Sequence, residues 1–242
     1  MLDWQRPQTL DAALDGVSRV AMVNPLGPDM AAQAAALVES AHRAGISLLV
    51  RFSVLGAGEP DPIEEARWHD AADEIVRRSR LPWVILKSNQ YFQNFLNAGT
   101  VRSIRDEGAI YLPYAESRVT NIDTRDLGEI AARVLLTEPS AHAGREYVLT
   151  GRVAQRMDEI AAAIGAARGR PVRYVAVSEE MARQGMTRAG LPPVAVEAIL
   201  GWFAFCRAGR AARIEPAAAA LLQRSPRDAA DFARDYAPRY RS

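Results

Sequence analysis

Residues 46–86 read ISLLVRFSVLGAGEPDPIEEARWHDAADEIVRRSRLPWVIL, and this stretch decides the fold. It begins with a nearly continuous apolar run, Ile46–Phe52, which is typical of a strand buried on both faces of a parallel sheet. A loop rich in glycine and proline follows, and Ile63–Ser79 then has the charged, amphipathic pattern of a helix. The second apolar run, Trp83–Leu86, predicts another buried strand. Two strands joined through one helix form a right-handed crossover, so we expect them to lie parallel in one sheet.

The same alternation extends toward the N-terminus, where Ser18–Val23 predicts a strand and Asp29–Arg43 a helix. This order of elements predicts an α/β fold with a Rossmann-like, doubly wound parallel sheet. The sequence after Gly151 is mainly helical, so we expect a sheet-bearing domain at residues 1–151 and a mainly helical part at residues 152–242. Further short strands are predicted at 109–112, 118–122, 146–149 and 172–175.

The composition argues against several classes of protein. Of the 242 residues, 49% are hydrophobic and 24% are charged, which is typical of a globular chain. The net charge of +1 gives no electrostatic reason to expect binding to nucleic acid or to an anionic membrane. No apolar run is long enough to span a membrane and no signal peptide is evident, so we expect a cytoplasmic protein. A single cysteine, Cys206, and three widely separated histidines predict no metal site.

Polar residues follow three of the predicted parallel strands. They are Asn24-Pro25, Ser53-Val54 and Ser88-Asn89-Gln90. Ligands of open α/β sheets bind beyond the carboxyl ends of the strands, so these residues could hydrogen-bond a ribose, an amide or a phosphate. The alternative is that they are ordinary turn residues and helix caps, and the sequence leaves both interpretations open.

Other candidate residues lie close to these strand ends. Gly56-Ala57-Gly58 resembles part of a phosphate-binding loop, but no third glycine follows, so we expect a mobile surface loop. His69 lies on the helix at 63–79 and is either part of a solvated face or a proton donor. The aromatic residues Tyr91, Phe92 and Trp202 either fill the core or line a substrate pocket.

Four segments of the chain resemble the NmrA-like family of atypical short-chain dehydrogenases/reductases. They are LDWQRPQTLDAALDGVSRVAMVNP at 2–25, RLPWVILKSNQYFQNFL at 80–96, VTNIDTRDLGEIAARVLL at 119–136, and GREYVLTG at 144–151 together with MDEIAAAIGAARGRPVRYVAVSEEMA at 157–182. The resemblance runs from Leu2 to Ala237 and preserves order and spacing. The branches it is most similar to are those of type-2 quinone oxidoreductases and ergot-alkaloid reductases.

The resemblance implies an oxidoreductase that binds NADP or NAD and reduces a small quinone-like or conjugated acceptor. It implies that Asn24 and Pro25 lie near the adenosine or ribose of the cofactor, and that Phe52, Ser53 and Asn89 lie near the nicotinamide. Tyr91, Phe92 and Trp202 would line the substrate space. The Tyr-x-x-x-Lys pair of typical short-chain dehydrogenases is absent, which leaves His69 as the candidate proton donor. The resemblance also admits a non-catalytic NAD(P)-sensing regulator, and a cofactor-free cyclase or isomerase remains a further alternative.

Family members begin with a strand and a glycine-rich turn that binds the cofactor diphosphate, and this chain starts beyond them. We therefore expect a truncated, N-terminally incomplete sheet with impaired cofactor binding. An incomplete gene product, a functional truncated paralogue and half of a split assembly all remain open as explanations. Without the first strand, Ser18–Val23 becomes an apolar sheet edge. That edge would be covered by a homodimer, by Leu2-Asp3-Trp4 or by aggregation.

Overall fold

The structure is a computed structural model that describes Asp3, Trp4, Arg6 and residues 8–241. The strands are β1 (Arg19–Met22), β2 (Leu48–Val54), β3 (Trp83–Ser88), β4 (Ala109–Leu112), β5 (Arg145–Leu149) and β6 (Arg173–Ala176). The helices are α1 (Gln8–Leu14), α2 (Met30–Arg43), α3 (Glu64–Arg77), α4 (Ala98–Glu107), α5 (Thr124–Leu136), α6 (Met157–Arg168), α7 (Glu179–Arg188), α8 (Pro193–Arg207), α9 (Ala217–Leu222) and α10 (Ala229–Tyr240). None of the helices among these residues is long and apolar enough to cross a lipid bilayer.

The chain divides into two compact units that alternate along the sequence. The first unit holds the described residues up to Ser88 together with Gly128–Val148, and the second holds Asn89–Leu127 and the described residues from Leu149 onward. The predicted boundary near Gly151, between a sheet-bearing domain and a mainly helical part, stays a prediction.

The first unit is built on a sheet with the strand order β1-β2-β3-β5. β1 pairs with β2, and β2 with β3, in parallel, with Val20 opposite Leu49 and Ser53 opposite Lys87. Helices α2 and α3 cover one face, where Leu37 shares an apolar core with Leu49 and Ile85. Burial of each such side chain contributes roughly 1.5–3 kcal/mol. The prediction of an α/β fold with a parallel, Rossmann-like sheet is confirmed.

β1 lies at the edge of this sheet, with β2 as its only strand neighbour among the described residues. Beside it is a hollow of about 400 Å³ whose lining includes Trp4, Leu14 and Val20. Val23, just beyond the strand, is 64% exposed. Of the predicted covering segment Leu2-Asp3-Trp4, Leu2 lies outside the described residues, while Asp3 and Trp4 form no strand there.

The second unit pairs β4 with β6 in parallel and packs α10 against α6 and α4. Its core contains aromatic rings, and Phe92 stacks on Phe232 with 5.4 Å between the ring centroids. The tyrosine hydroxyl of Tyr240, near the end of α10, donates a hydrogen bond to the carbonyl oxygen of Phe95 at 3.2 Å. The mainly helical character expected for the C-terminal part of the chain is confirmed by α7 to α10.

The structure differs from the sequence-based assignment at two places in the second unit. The predicted strand at Arg118–Ile122 forms only isolated bridges, from Val119 to Gln155 and from Ile122 to Tyr91. Helix α4 is an element that the sequence analysis did not predict. Its signals are Asn97, whose side chain accepts a hydrogen bond from the backbone of Thr100, and Gly108, which ends the helix in the left-handed conformation.

Candidate functional site

The carboxyl half of β2 places polar side chains beneath α3. Side chains alternate along a strand, so Arg51 and Ser53 point to the same face of the sheet. Ser53 lies opposite Lys87 of β3 in the parallel register, which puts Lys87 on that face too. Helix α3 supplies His69 and Asp73, which are four residues apart and therefore share one side of the helix. The first unit thus gathers four ionisable groups and a hydroxyl at one place.

At the centre is a buried ion pair. Arg51 and Asp73 are both 0% exposed, and 3.5 Å separates the Arg51 Nε from the Asp73 Oδ1. The Ser53 hydroxyl donates a hydrogen bond of 2.6 Å to the Asp73 Oδ2. Burial raises the pKa of Asp73 to about 6, although the charge of Arg51 and the Ser53 hydrogen bond act in the opposite direction. Burial also lowers the pKa of Arg51, so each charge depends on the other.

His69 is held in its neutral form by its surroundings. Its Nδ1 lies 3.4 Å from a terminal nitrogen of Arg51. Burial, and then the charge of Arg51, lower the pKa of His69 to about 3. Because a guanidinium can only donate, Nδ1 acts as the acceptor and the imidazole proton is on Nε2. The side chain can therefore form hydrogen bonds at neutral pH, but it does not carry an imidazolium proton there.

Lys87 fixes the loop that follows β2. Its Nζ donates to the carbonyl oxygen of Ala57 at 2.9 Å and forms an ion pair with Glu146 at 2.6 Å. Ala57 is buried, and a Cβ added to Gly58 would lie 3.2 Å from an Asp70 carboxylate oxygen. The loop is therefore partly buried at Ala57 and held there by Lys87, while its predicted mobility stays a prediction. A carboxylate beside Gly58 also makes the loop a poor binding site for phosphate.

The other residues predicted for the cofactor in this unit lie apart from the ion pair. Phe52 is half-buried and alternates with Arg51 and Ser53, so it points to the opposite face of the sheet. Asn24 follows β1, and its Nδ2 donates to the Gln33 Oε1 at 3.0 Å. Its Oδ1 is buried and has no hydrogen-bond partner within the described part of the chain. Pro25, the next residue, is exposed.

In the second unit, the side-chain amide of Asn89 is fully used by the protein itself. Its Nδ2 donates to the Thr120 hydroxyl at 2.5 Å and to the carbonyl oxygen of Ala211 at 2.9 Å. Its Oδ1 accepts the backbone N–H of Gln90 at 2.8 Å. Asn89 thus ties the segment that follows β3 to the loop around Ala211, and a ligand that accepts from its Nδ2 would have to displace one of these bonds.

The three predicted substrate residues, also in the second unit, have different environments. Tyr91 is half-buried, whereas Phe92 is 1% exposed and belongs to the aromatic core. Trp202 stacks on Phe205 at 5.2 Å, and its Nε1 donates to the Gln90 Oε1 at 2.6 Å. Gln90 is one of the polar residues that the sequence places directly after a buried strand, but its contact with Trp202 was not predicted.

The residues present can be compared with what a nicotinamide dinucleotide requires. Polar groups at the carboxyl ends of parallel strands suit its ribose and amide parts, and the unpaired Asn24 Oδ1 can accept from a ribose hydroxyl. The diphosphate needs backbone N–H groups or cations, and the Gly56–Gly58 loop presents a carboxylate instead. The described residues therefore fit the nucleoside parts of such a cofactor, and this loop does not fit its diphosphate.

Comparison with known proteins places this geometry in a family. The pattern of the NmrA-like family matches residues 2–233. An NAD(P)H azoreductase of Xenophilus azovorans is 35% identical over 235 residues, covering 97% of this chain and 81% of that protein. Quinone oxidoreductase 2 of Escherichia coli (strain K12) is 23% identical over 191 residues, covering 78% of this chain and 65% of that protein.

Solved structures agree with the sequence comparison. The crystal structure of the Citrobacter sp. triphenylmethane reductase complexed with NADP(H) matches with a TM-score of 0.81 and 25% identity, covering 98% of this chain and 82% of that one. A family match over nearly the whole length, a relative above 30% identity and a shared fold lead to one conclusion. This chain belongs to the NmrA-like family.

Proposed function

We propose that this chain is an NAD(P)H-dependent reductase that transfers a hydride to a small quinone-like or conjugated organic acceptor. The observation that carries the proposal is the 35% identity to an NAD(P)H azoreductase over 97% of the chain. Relatives named for azo compounds, quinones and triphenylmethane share extended conjugation in the compounds their names refer to. Polar groups at the carboxyl edge of a parallel sheet support the same assignment.

The cofactor is proposed to lie along the strand ends. Asn24 and Pro25 would contact its adenosine or ribose, and the unpaired Asn24 Oδ1 would accept a hydrogen bond from a ribose hydroxyl. Phe52, Ser53 and Asn89 would lie on the nicotinamide side. Asn89 has no spare hydrogen-bonding atom in its side chain, so its proposed contribution is to hold the backbone after β3 in place.

When bound, the reduced nicotinamide supplies the hydride, while the protein contributes position and electrostatics. The Arg51–Asp73 pair holds the His69 ring in one orientation and keeps it neutral. We propose that His69 acts through the proton on its Nε2, as a hydrogen-bond donor to the acceptor, and that water supplies the final proton. Tyr91 and Trp202 are proposed to line the acceptor space, with Phe92 supporting it from the core.

The direct test is steady-state oxidation of NADPH and NADH by purified protein with menadione, and separately with an azo dye, as acceptor. We expect acceptor-dependent loss of the reduced nicotinamide. Binding of the dinucleotide without turnover would instead favour a sensor, and conversion of a substrate without any dinucleotide would favour a cyclase or isomerase. Either result would contradict the proposed reductase.

A fluorescence titration with NADPH and NADH tests the expectation of impaired cofactor binding separately. Micromolar affinity in the 242-residue chain would contradict that expectation. Affinity weaker than millimolar would support it, and the reductase activity would then need the cofactor at high concentration.

We also propose that two copies of the chain associate through β1. This strand has neighbours on one side only within the described residues, and the hollow beside it is lined mainly by apolar side chains. Unpaired strand edges of this kind are templates for pairing with another chain.

A further inference from the structure

The side chain of Gln90 is fixed by two donors that both point at its Oε1. The Trp202 Nε1 donates to it at 2.6 Å, and the Tyr114 hydroxyl donates to the same oxygen. All three residues belong to the second unit. All three residues are at least nine-tenths buried, so their side chains are held in place by the surrounding protein.

These donors settle which end of the amide is the oxygen. An indole Nε1 carries a hydrogen and has no acceptor capacity. Tyr114 is 1% exposed, and burial raises its pKa well above the usual value, so its hydroxyl keeps its proton. The atom that accepts from both must be the carbonyl oxygen, and the amide nitrogen therefore occupies the other position.

The amide nitrogen of Gln90 is left without an acceptor. Across the residues that the structure describes, the hydrogen bonds of the Gln90 side chain all go to its Oε1. Gln90 is 8% exposed, and its Nε2 is not among the orphaned atoms that are fully enclosed. Its two N–H groups are thus unpaired, at an atom that the protein does not fully enclose. The neighbouring Asn89, by contrast, uses every atom of its amide within the protein.

Aromatic rings of α8 pack against Trp202 and Tyr114, the two donors to the Gln90 Oε1. Trp202 stacks on Phe205 at an interplanar angle of 19°, and Phe203 meets the ring of Tyr114 edge-on with 5.0 Å between centroids. Such surroundings favour a flat conjugated molecule, and they offer the Gln90 amide no competing acceptor.

We infer that the Gln90 Nε2 donates a hydrogen bond to a carbonyl oxygen of the acceptor molecule. The choice of a conjugated carbonyl compound rests on the proposed reductase function, and the fixed, unpaired amide donor is independent of it. Gln90 is then a specificity-determining residue. It forms a hydrogen bond with an acceptor that carries an oxygen at this point, and an apolar analogue, which lacks that oxygen, binds more weakly.

The test compares two ligands that differ only in their oxygens, menadione and methylnaphthalene, in wild-type protein and in Gln90→Glu. Glutamate keeps an oxygen for Tyr114 and Trp202 to bind and removes the donor, although it also adds a charge. Equilibrium binding is followed through tryptophan fluorescence, without any cofactor. We expect the Kd for menadione to rise about tenfold in the variant, while the Kd for methylnaphthalene changes little.

Three controls accompany this comparison. Gln184→Glu makes the same chemical change on the exposed face of α7 and is expected to leave both affinities unchanged. Gln90→Met removes the donor without adding charge and should reproduce the loss for menadione. Trp202→Phe removes one anchor and should weaken menadione binding less than Gln90→Glu does.

The inference is overturned if wild type binds menadione no better than methylnaphthalene, or if both Gln90 variants bind menadione as wild type does. It is also overturned if Gln90→Glu weakens NADPH binding and leaves menadione binding intact, since the donor would then serve the cofactor. Failure of the reductase proposal is distinguishable, because it shows as absent NADPH oxidation while the Gln90-dependent preference for menadione persists.

Discussion

Arg51 and Asp73 carry opposite charges at a point that water does not reach, and their ionisation is coupled. Removing one member of such a pair leaves the other charge buried and uncompensated, which costs about 3–5 kcal/mol. The two residues differ in how they can respond. The pKa of Asp73 is already raised to about 6, so an Asp73 left without its partner can become neutral by taking up a proton. Arg51 does not lose its proton, so it would stay charged.

Asp73→Asn should therefore lower the free energy of unfolding by about 3–5 kcal/mol at pH 8, where Asp73 is ionised and its loss leaves the Arg51 charge buried without a partner. Arg51→Met should cost clearly less at pH 5 than at pH 8, because protonated Asp73 remains hydrogen-bonded to Ser53 without a charge. The double variant should recover most of the loss. Urea unfolding at both pH values measures all three, and additive losses in the double variant would contradict the coupling.

His69 gives a pH dependence of the opposite sign to that of Asp73. Its pKa is lowered to about 3, so between about pH 3 and 6.5 the unfolded chain binds more protons than the folded chain. Its contribution to stability is complete above pH 6.5 and is lost as the pH falls toward 3. Asp73 binds more protons when folded between about pH 3.8 and 6, so its contribution falls as the pH rises through that range.

The measurable consequence is that wild-type stability relative to His69→Gln should increase from about pH 4 to pH 6.5. NMR titration of the His69 ring should show no protonation between pH 5 and pH 8. Arg51→Met, which removes a neighbouring positive charge, should raise the pKa of His69. A ring that titrates near its ordinary value of about 6.5 in wild type would contradict the neutral, Arg51-bound imidazole.

Sequence reasoning identified Ser53 because it lies at the end of a buried strand. It identified His69, on the helix at 63–79, as the candidate proton donor in the absence of a Tyr-x-x-x-Lys pair. It did not identify Arg51, because an arginine inside an apolar run has no periodic signature and its partner lies 22 residues further on. Gln90 was predicted only as one of the polar residues after a strand, and its hydrogen-bond partners were missed for a related reason. Its role depends on Tyr114 and Trp202, which are distant in sequence and meet it only after the second unit has folded.

At the scale of elements, the strands and helices of the first unit followed from hydrophobic patterning because both faces of its sheet bury apolar residues. The segment Arg118–Ile122 has the composition of a strand, but it forms only single bridges. Backbone groups there bond to loops instead, as the N–H of Thr120 does with the carbonyl oxygen of Ala211 at 3.0 Å. No local pattern distinguishes these two outcomes.

Gly151, in the second unit, and Gly128, in the first, differ in how closely other atoms approach them. A Cβ added to Gly151 would lie 2.0 Å from the carbonyl oxygen of Asn121, a backbone atom that cannot move aside. Gly128, inside α5, has nothing within 4 Å of the same position. Gly151→Ala should therefore destabilise the protein by several kcal/mol, whereas Gly128→Ala should stabilise it by about 0.5–1 kcal/mol. Thermal unfolding of the two variants measures the difference, and equal effects would contradict the close approach.

Helix α7 offers a second prediction at this scale. None of its residues, Glu179–Arg188, is buried, while α10 buries side chains such as Phe232 and Tyr240. Local opening costs little where few apolar contacts are lost. Backbone amides of α7 should exchange with deuterium much faster than those of α10 under native conditions. Comparable protection in the two helices would show that α7 is covered in solution.

At the scale of the whole molecule, the open edge of β1 leads to a prediction about how copies of the chain associate in solution. The carbonyl oxygen of Ser18 accepts a hydrogen bond from the N–H of Ser47 at 2.8 Å, so backbone groups of alternate residues from Ser18 onward face β2. The N–H and carbonyl of Ala21 then point to the open side. Wild-type protein should be dimeric at micromolar concentrations if this edge pairs with a second copy.

Ala21→Pro removes one outward N–H and leaves the ladder between β1 and β2 intact, so it should give a folded monomer. Ala21→Val keeps the N–H and should remain dimeric, which separates loss of the hydrogen bond from a change of side chain. Light scattering coupled to gel filtration measures the mass, and circular dichroism checks the fold. A monomeric wild type, or an Ala21→Pro variant that stays dimeric, would show that β1 is not the surface through which copies associate. In the first case the hollow beside Trp4 and Val20 would be open to solvent in the isolated chain, and the proposal of association through β1 would have to be given up.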